Sequence, residues 1–163
     1  MLAETLQDKK IGEILLEKGS ISPIDLENAL LLQNTDKSII GKILLGENYV
    51  RNRELHEAIA EKYGLRFVDL MQTILDYDIV HEDKYDEYFE NELVPYAESK
   101  EYVIIATTDI SENVKKWAVD NYPHKEVRFV ITSPYDIRFA LQHRYAEPHD
   151  EKARLHLWNL SPT

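Results

Sequence analysis

Apolar residues in the first part of the chain follow a helical spacing, and the whole pattern occurs twice. The segments 10–33 and 39–62 are each 24 residues long and align at an offset of 29 residues. In that register seven positions are identical, including Gly12 with Gly41 and Leu26 with Leu55. Internal similarity at a fixed offset is typical of duplicated supersecondary units. The pattern therefore predicts a tandem repeat.

Each copy is predicted to form two short helices joined by a tight turn, because its apolar residues recur at intervals of three and four. In the first copy Gly19 suits a left-handed residue that ends a helix, and Ser22-Pro23 suits the start of the next one. In the second copy Asn48 takes the place of the glycine, and Asn52 is predicted as the corresponding cap.

A single helical pair has too little surface to bury its own apolar stripe. The two copies are therefore expected to pack together as a four-helix unit over about residues 8–64, and we assign residues 1–64 to a helical subdomain.

The pattern changes after Gly64, the last glycine of the chain. Residues 65–70 are predicted to be extended and residues 78–92 helical. Ser111 is predicted to cap a further helix, and Ser133-Pro134 is predicted to cap the last one. Strands are predicted at 93–97, 102–108 and 126–132.

These elements predict an α+β fold, in which the four-helix tandem-repeat unit packs against a small α/β unit with a short mixed sheet. The α/β subdomain is assigned to residues 65–146 and a C-terminal tail to 147–163. The tail contains large apolar side chains that are unfavourable in water, those of Leu155, Leu157 and Trp158. They are expected to dock on the rest of the chain or on a partner.

The net charge argues against nucleic acid as a partner. Thirty Asp and Glu residues against 19 Lys and Arg give a formal charge of -11, which repels phosphate backbones and anionic lipid headgroups. Acidic residues are concentrated in the segment 76–92, in which Lys84 is the only Lys or Arg. This acidic segment is either a solvated surface or a docking surface.

Neither a membrane span nor a targeting peptide is predicted, because no apolar run approaches roughly 18 residues and the first residues are charged. We expect a cytoplasmic protein, brought to the inner membrane only through a partner. The absence of cysteine excludes disulfides, thiolate nucleophiles and Cys-ligated metals.

No motif for catalysis is recognisable. The chain lacks a phosphate-binding loop, a dinucleotide fingerprint and a nucleophile elbow, and His56-Glu57 has Ala60 where a zinc-protease motif needs histidine. We expect His81-Glu82-Asp83 and His149-Asp150 to be solvated polar residues and not metal ligands. We therefore predict no enzyme activity, no catalytic residues, no metal and no cofactor.

Gly12 and Gly41 are predicted to open the first helix of each copy. A helix start offers unpaired amides that suit an anion, and Lys9, Lys10, Lys37 and Lys42 add positive charge. The alternative is that the glycines let two helices cross closely.

The repeat resembles the MshEN domain, the N-terminal module of type II secretion and type IV pilus assembly ATPases. That family has two 24-residue motifs, R-L-G-x-x-L-x-x-x-G-x-[IV]-x-x-x-x-L-x-x-A-L-x-x-Q, separated by five residues. Residues 34–38 supply the spacer here. The segments YGLRFVDL, LVPYAESKEYVIIATTDI and VITSPYDIRFALQHRY are also similar to the family's second half.

The resemblance implies two functions: binding of cyclic di-GMP, the candidate ligand, or docking onto the cytoplasmic domain of an inner-membrane protein of secretion or pilus machinery. By position in the motif, the implied first half-site for cyclic di-GMP consists of Lys10, Ile11, Gly12, Leu15, Leu26, Leu30 and Gln33. The implied second half-site consists of Ile40, Gly41, Leu44, Leu55 and Ile59.

Departures from the motif favour docking over nucleotide binding. Lys10 keeps the charge of the first arginine but lacks its planar fork, and Ile39 replaces the second arginine. Asn48 and Lys62 replace the glycine and glutamine of the second motif. One lost charge-assisted contact to guanine costs on the order of 1.5–3 kcal/mol.

Overall fold

The structure is a computed structural model, and it describes residues 2–36, 39–73 and 75–144. It divides into two compact units, with the boundary between Leu65 and Arg66. The predicted tail, with Leu155, Leu157 and Trp158, lies outside the described residues.

The first unit is helical, as predicted. Its helices are α1 (Leu2–Glu17), α2 (Pro23–Asp36), α3 (Ile40–Gly46) and α4 (Asn52–Tyr63). Helix α1 packs against α4, and α2 packs against α3. The turns inside the two copies are equivalent, because Gly19 and Asn48 both adopt the left-handed conformation, with φ of 71° and 59°.

The second helix of each copy begins in the same way. The Ser22 N–H donates to Asp25 Oδ2 at 3.1 Å, and the Arg51 N–H donates to Glu54 Oε2 at 3.2 Å. Capping by Ser22 is confirmed, since its hydroxyl accepts the Asp25 N–H at 3.1 Å. The assignment of Asn52 as cap is wrong: Arg51 precedes the helix, and Asn52 is its first residue.

The prediction that Gly12 opens a helix is also wrong. Helix α1 begins at Leu2, so Gly12 lies in its interior, where the amides are engaged in the helix. Gly41 does lie at a helix start, as the second residue of α3. The periodic pattern showed only the part of α1 that is repeated, and the preceding residues extend the helix further.

The second unit contains the mixed sheet that was predicted. Within the described residues, strands β1 (Leu93–Glu98), β2 (Tyr102–Thr107) and β3 (Glu126–Ile131) lie in the order β1-β2-β3. Strand β1 is antiparallel to β2, and β2 is parallel to β3. The α+β fold class is confirmed.

Three helices accompany this sheet: α5 (Tyr85–Asn91), α6 (Glu112–Asn121) and α7 (Pro134–Phe139). Both predicted serine caps are confirmed, because the Ser111 and Ser133 hydroxyls accept the amides of Val114 and Asp136 at 3.2 Å. A π-helical turn over Ala140–Arg144 follows α7. The largest buried side chains of this unit's core include Leu70, Tyr88, Leu93, Val94, Val103, Ile105 and Ile137.

The helix predicted over residues 78–92 is shorter than expected. Residues Tyr77–Ile79 and Glu82–Lys84 form 3-10 turns, and only α5 is α-helical. Tyr88 is buried and its hydroxyl accepts the His81 N–H at 3.2 Å, which connects the segment before α5 to the middle of that helix. The predicted extended stretch 65–70 forms an isolated bridge, in which Phe67 pairs with Ile131.

No helix in the described part of the chain is long and apolar enough to cross a membrane.

Candidate functional site

The twelve residues that the MshEN resemblance implied fall into two groups in the helical unit. One group is buried: Ile11, Gly12, Leu15, Ile40, Leu44, Leu55 and Ile59. The other group is at least partly accessible: Lys10, Leu26, Leu30, Gln33 and Gly41. The accessible residues come mainly from the first copy of the repeat, so the two implied half-sites are not equivalent.

Each motif glycine is covered by a leucine of its own copy. A Cβ added to Gly12 would lie 2.7 Å from Leu26 Cδ1, and one added to Gly41 would lie 3.4 Å from Leu55 Cδ2. A side chain at position 12 would therefore require the end of the Leu26 side chain to shift. This geometry supports the alternative in which the glycines let helices cross closely. An anion approaching Gly12 would have to displace Leu26.

An open apolar cleft lies along α2. Its volume is about 310 Å³, at the small end of the roughly 300–1,000 Å³ range of ligand pockets. Helix α2 contributes a stripe at spacings of three and four residues, and α1 contributes Leu16. The α2 stripe is formed by Pro23, Leu26, Glu27, Leu30, Leu31 and Asn34.

The apolar surface continues beyond the cleft. Ile24 is 68% exposed and Leu31 is 60% exposed, seven residues apart on the same side of α2. We call the cleft together with Ile24 the α2 face. Exposed apolar residues that cluster in this way mark interaction surfaces more often than isolated ones do.

The second copy of the repeat is an internal comparison for the α2 face. At the positions of Ile24, Leu31 and Leu32, helix α4 carries Arg53, Ala60 and Glu61. Leu26 and Leu30 are half-buried, whereas their counterparts Leu55 and Ile59 are buried. The same hairpin thus forms without these exposed leucine and isoleucine side chains, so folding alone does not explain them.

This comparison also shows what the sequence analysis missed. Leu16, Pro23, Ile24 and Leu31 were not predicted as functional residues, because the family motif leaves their positions open. For Pro23, Ile24 and Leu31 the signal was present in the repeat alignment, where they face Asn52, Arg53 and Ala60. Leu16 faces the identical Leu45 and carried no such signal.

The charge in the lining of the cleft is acidic. Among the described residues that line the cleft, Glu27 carries the charge. Glu13 and Glu17 are exposed on α1, three residues before and one residue after Leu16. Lys10 and Lys42 are exposed as well, whereas the side chain of Lys9 and all of Lys37 lie outside the described residues.

The acidic segment is a solvated surface in large part. Its exposed carboxylates are Asp76, Asp78, Glu82, Asp83, Asp86, Glu87 and Glu90. Glu87 accepts the indole N–H of Trp117 at 3.2 Å. Within the described residues no group of three or more His, Asp or Glu side chains is placed to hold a metal ion. His149-Asp150 lies outside them.

A buried carboxylate in the α/β unit has a structural role. Asp136 Oδ2 accepts the Leu70 N–H at 3.0 Å and the Thr132 hydroxyl at 3.1 Å, and Oδ1 accepts the Ser133 hydroxyl at 3.1 Å. Burial nevertheless raises the pKa of Asp136, and the nearby Asp69 raises it further, against the hydrogen bonds that lower it. These hydrogen bonds connect the segment at Leu70 to the start of α7.

We expect Asp136→Asn to change how stability depends on pH. The pKa of Asp136 in the folded protein lies above the value of 3.8 in the unfolded chain. This carboxyl therefore contributes most to stability below pH 3.8, and the contribution is lost as the pH rises through the folded-state pKa. The wild type should therefore lose stability relative to Asp136→Asn as pH rises from 3.8 through that window. Urea unfolding at a series of pH values checks this. A constant difference between the two proteins would contradict it, and exposed Asp120→Asn is the control.

Comparisons with known proteins identify relatives of this chain. The chain is 38% identical over 72 residues to the type IV pilus assembly ATPase PilB of Thermus thermophilus, and this match covers 44% of the chain and 8% of PilB. The chain therefore spans only a small part of that relative.

Two solved structures share the fold. One is MshE with cyclic di-GMP (cdg), with a TM-score of 0.70 and 22% identity over 83% of this chain and 98% of that chain. The other is the N-terminal domain of XpsE, with a TM-score of 0.59 and 19% identity over 86% of this chain and 96% of that chain. At these identities the likeness is one of fold.

The family model of the MshEN domain matches residues 63–151. This range starts at the end of α4 and includes all three strands, so the match rests mainly on the α/β unit. The repeat and the matched range are independent parts of the sequence, and both indicate the same family. The chain belongs to the MshEN domain family.

Proposed function

We propose that this chain is a non-catalytic regulatory and protein-interaction module of the type II secretion or type IV pilus assembly ATPase type. It docks onto a partner protein of the secretion or pilus machinery, such as the cytoplasmic domain of an inner-membrane component. Family membership and the likeness to the N-terminal domain of XpsE support the class of protein. The α2 face is the observation that carries the docking function.

Docking explains the α2 face better than a small-molecule site does. Ile24 lies outside the lining of the small cleft, and Leu31 in that lining is still 60% exposed, so a small molecule in the cleft leaves apolar surface in water. A protein partner covers both the cleft and its surroundings, and burial of one such side chain contributes about 1.5–3 kcal/mol. The cleft then receives the partner's central side chain.

Site-directed photocrosslinking tests this function. Benzoylphenylalanine is placed at position 31 in the cells that produce the protein, and at position 119 as a control. Val119 is a matched site, because it is also 60% exposed but lies on α6. We expect a discrete adduct with a secretion or pilus protein from position 31 only. Adducts of equal yield from both positions, or none from position 31, contradict the proposal.

Cyclic di-GMP binding is the second candidate function, and the likeness to MshE with cyclic di-GMP favours it. In this alternative the two half-sites take the twelve residues named above, with Gln33 hydrogen-bonding a guanine edge and Lys10 supplying charge. Leu26 would have to move from Gly12 for the dinucleotide to reach the backbone. Loss of the motif arginines and of the second glutamine weakens this alternative.

Calorimetric titration with cyclic di-GMP, with cyclic di-AMP as the control ligand, separates the two functions. If the receptor function holds, heat appears only with the guanine form. In that case Lys10→Ala and Gln33→Ala each weaken binding roughly ten- to a hundredfold, since a charge-assisted or guanine-specific contact is lost. Exposed Lys116→Ala on α6 should have no effect. The absence of heat at high micromolar concentrations would exclude the receptor function.

A further inference from the structure

The shape of the α2 face limits what can occupy it. The lining residues run from Pro23 to Asn34, which is about 17 Å along the helix axis, or three turns. Leu16 of α1 also lines the cleft, so the surface is an open groove to which two helices contribute. A groove of this form and length fits the apolar side of one partner helix.

The backbone of α2 argues against an extended peptide in this groove. An extended strand obtains affinity from main-chain hydrogen bonds to a sheet edge. Along α2 the amides and carbonyls are engaged within the helix, so the groove presents side chains. An α-helix brings its own backbone hydrogen bonds and needs only side-chain contacts.

The charge of the groove specifies the partner further. Glu27 lies in the lining, and Glu13 and Glu17 flank Leu16 on α1. In the second copy His56 stands at the position of Glu27, so this charge is particular to the first copy. A carboxylate beside an apolar groove discriminates among partners through complementary charge.

We propose that the α2 face binds one amphipathic helix of a partner protein, with leucine-type residues at i, i+3, i+4 and i+7 in the groove and a lysine or arginine opposite Glu27. This inference rests on the docking function proposed above and names the partner's chemistry. The apolar residues supply most of the affinity, and the basic residue supplies orientation and discrimination. The net charge of -11 accelerates the approach of such a helix.

Two designed peptides test the proposal against the whole 163-residue chain. Both are helical, have leucine at i, i+3, i+4 and i+7, and carry a fluorophore. The first has lysine at the flanking positions, and the second has glutamate there. Fluorescence anisotropy measures binding to the wild type, Leu31→Ser, Glu27→Lys and the matched control Val119→Ser. The altered side chains at 31 and 119 are equally exposed, so neither substitution is expected to impair folding.

We expect the wild type to bind the lysine peptide in preference to the glutamate peptide. Leu31→Ser should weaken that binding about tenfold or more, because a buried leucine contact is lost, and Val119→Ser should leave it unchanged. Glu27→Lys should reverse the preference between the peptides.

Three results would overturn the inference: no binding of either peptide, equal binding of both, or a preference that Glu27→Lys leaves unchanged. Photocrosslinking at position 31 distinguishes this failure from failure of the docking function. If position 31 crosslinks to a secretion or pilus protein while neither peptide binds, docking stands and the helical basic partner is wrong. If position 31 gives no adduct and neither peptide binds, both proposals fail.

Discussion

Tyr88→Ala should lower the free energy of unfolding of the α/β unit by about 3–5 kcal/mol, the range for large aromatic truncations in a core. The Tyr88 side chain is completely buried, and its ring centroid lies 5.8 Å from that of Trp117 and 6.1 Å from that of Tyr85. Its removal leaves a cavity and deprives the His81 N–H of its acceptor. Urea unfolding followed by tryptophan fluorescence measures the effect.

Two controls separate the causes of this loss. Tyr88→Phe keeps the ring and removes one hydrogen bond, so we expect a cost of only about 0.5–1.5 kcal/mol. Phe89→Ala alters the neighbouring residue of α5, which is 39% exposed, and should cost less than Tyr88→Ala. If Tyr88→Ala lowers the free energy of unfolding no more than Phe89→Ala does, the contacts of the Tyr88 ring with Tyr85 and Trp117 do not hold the acidic segment in place.

Leu44→Ala should lower the free energy of unfolding of the helical unit by about 2–5 kcal/mol. Leu44 is completely buried on α3, the helix that packs against α2. Leu31→Ala, at an exposed position of α2, should change stability by no more than about 0.5 kcal/mol. Far-UV circular dichroism in urea reports on both variants.

The same pair of variants tests the role of the implied site residues. Leu44 was assigned to the second half-site for cyclic di-GMP, but its burial makes it a packing residue in this arrangement. A Leu44→Ala protein that keeps wild-type stability would contradict the packing role. Leu44 would then be better explained as a contact for cyclic di-GMP.

Much of the fold followed from local signals in the sequence. The repeat, the left-handed turns at Gly19 and Asn48 and the caps at Ser111 and Ser133 are all short-range features, and all were predicted. Alternation and β-branched residues likewise located the three strands. Helix α1 was predicted only in part, because it extends beyond the repeated pattern. Tyr77–Ile79 and Glu82–Lys84 form 3-10 turns where a helix was predicted, and the side chains of Ile79 and Val80 are buried there, which helical spacing does not report.

The candidate site was less predictable, for a physical reason. Motif position places Leu26 and Leu55 in equivalent roles, yet one lines an open cleft and the other is buried. Accessibility depends on what covers each helix, and sequence spacing does not report that. The α2 face could have been found by asking where the two copies differ in polarity, at Ile24 and Leu31. Similarity between the copies revealed the fold, whereas their differences indicate function.

The pairing of α1 with α4 and of α2 with α3 has a consequence for synthesis in the cell. Helix α1 leaves the ribosome before the other helices of its unit, and its packing partner α4 is the last of them to emerge. At about 5–20 residues per second, several seconds separate the two events. During that delay α1 lacks its packing partner α4, so part of the apolar surface that α1 buries in the folded unit stays uncovered until α4 emerges.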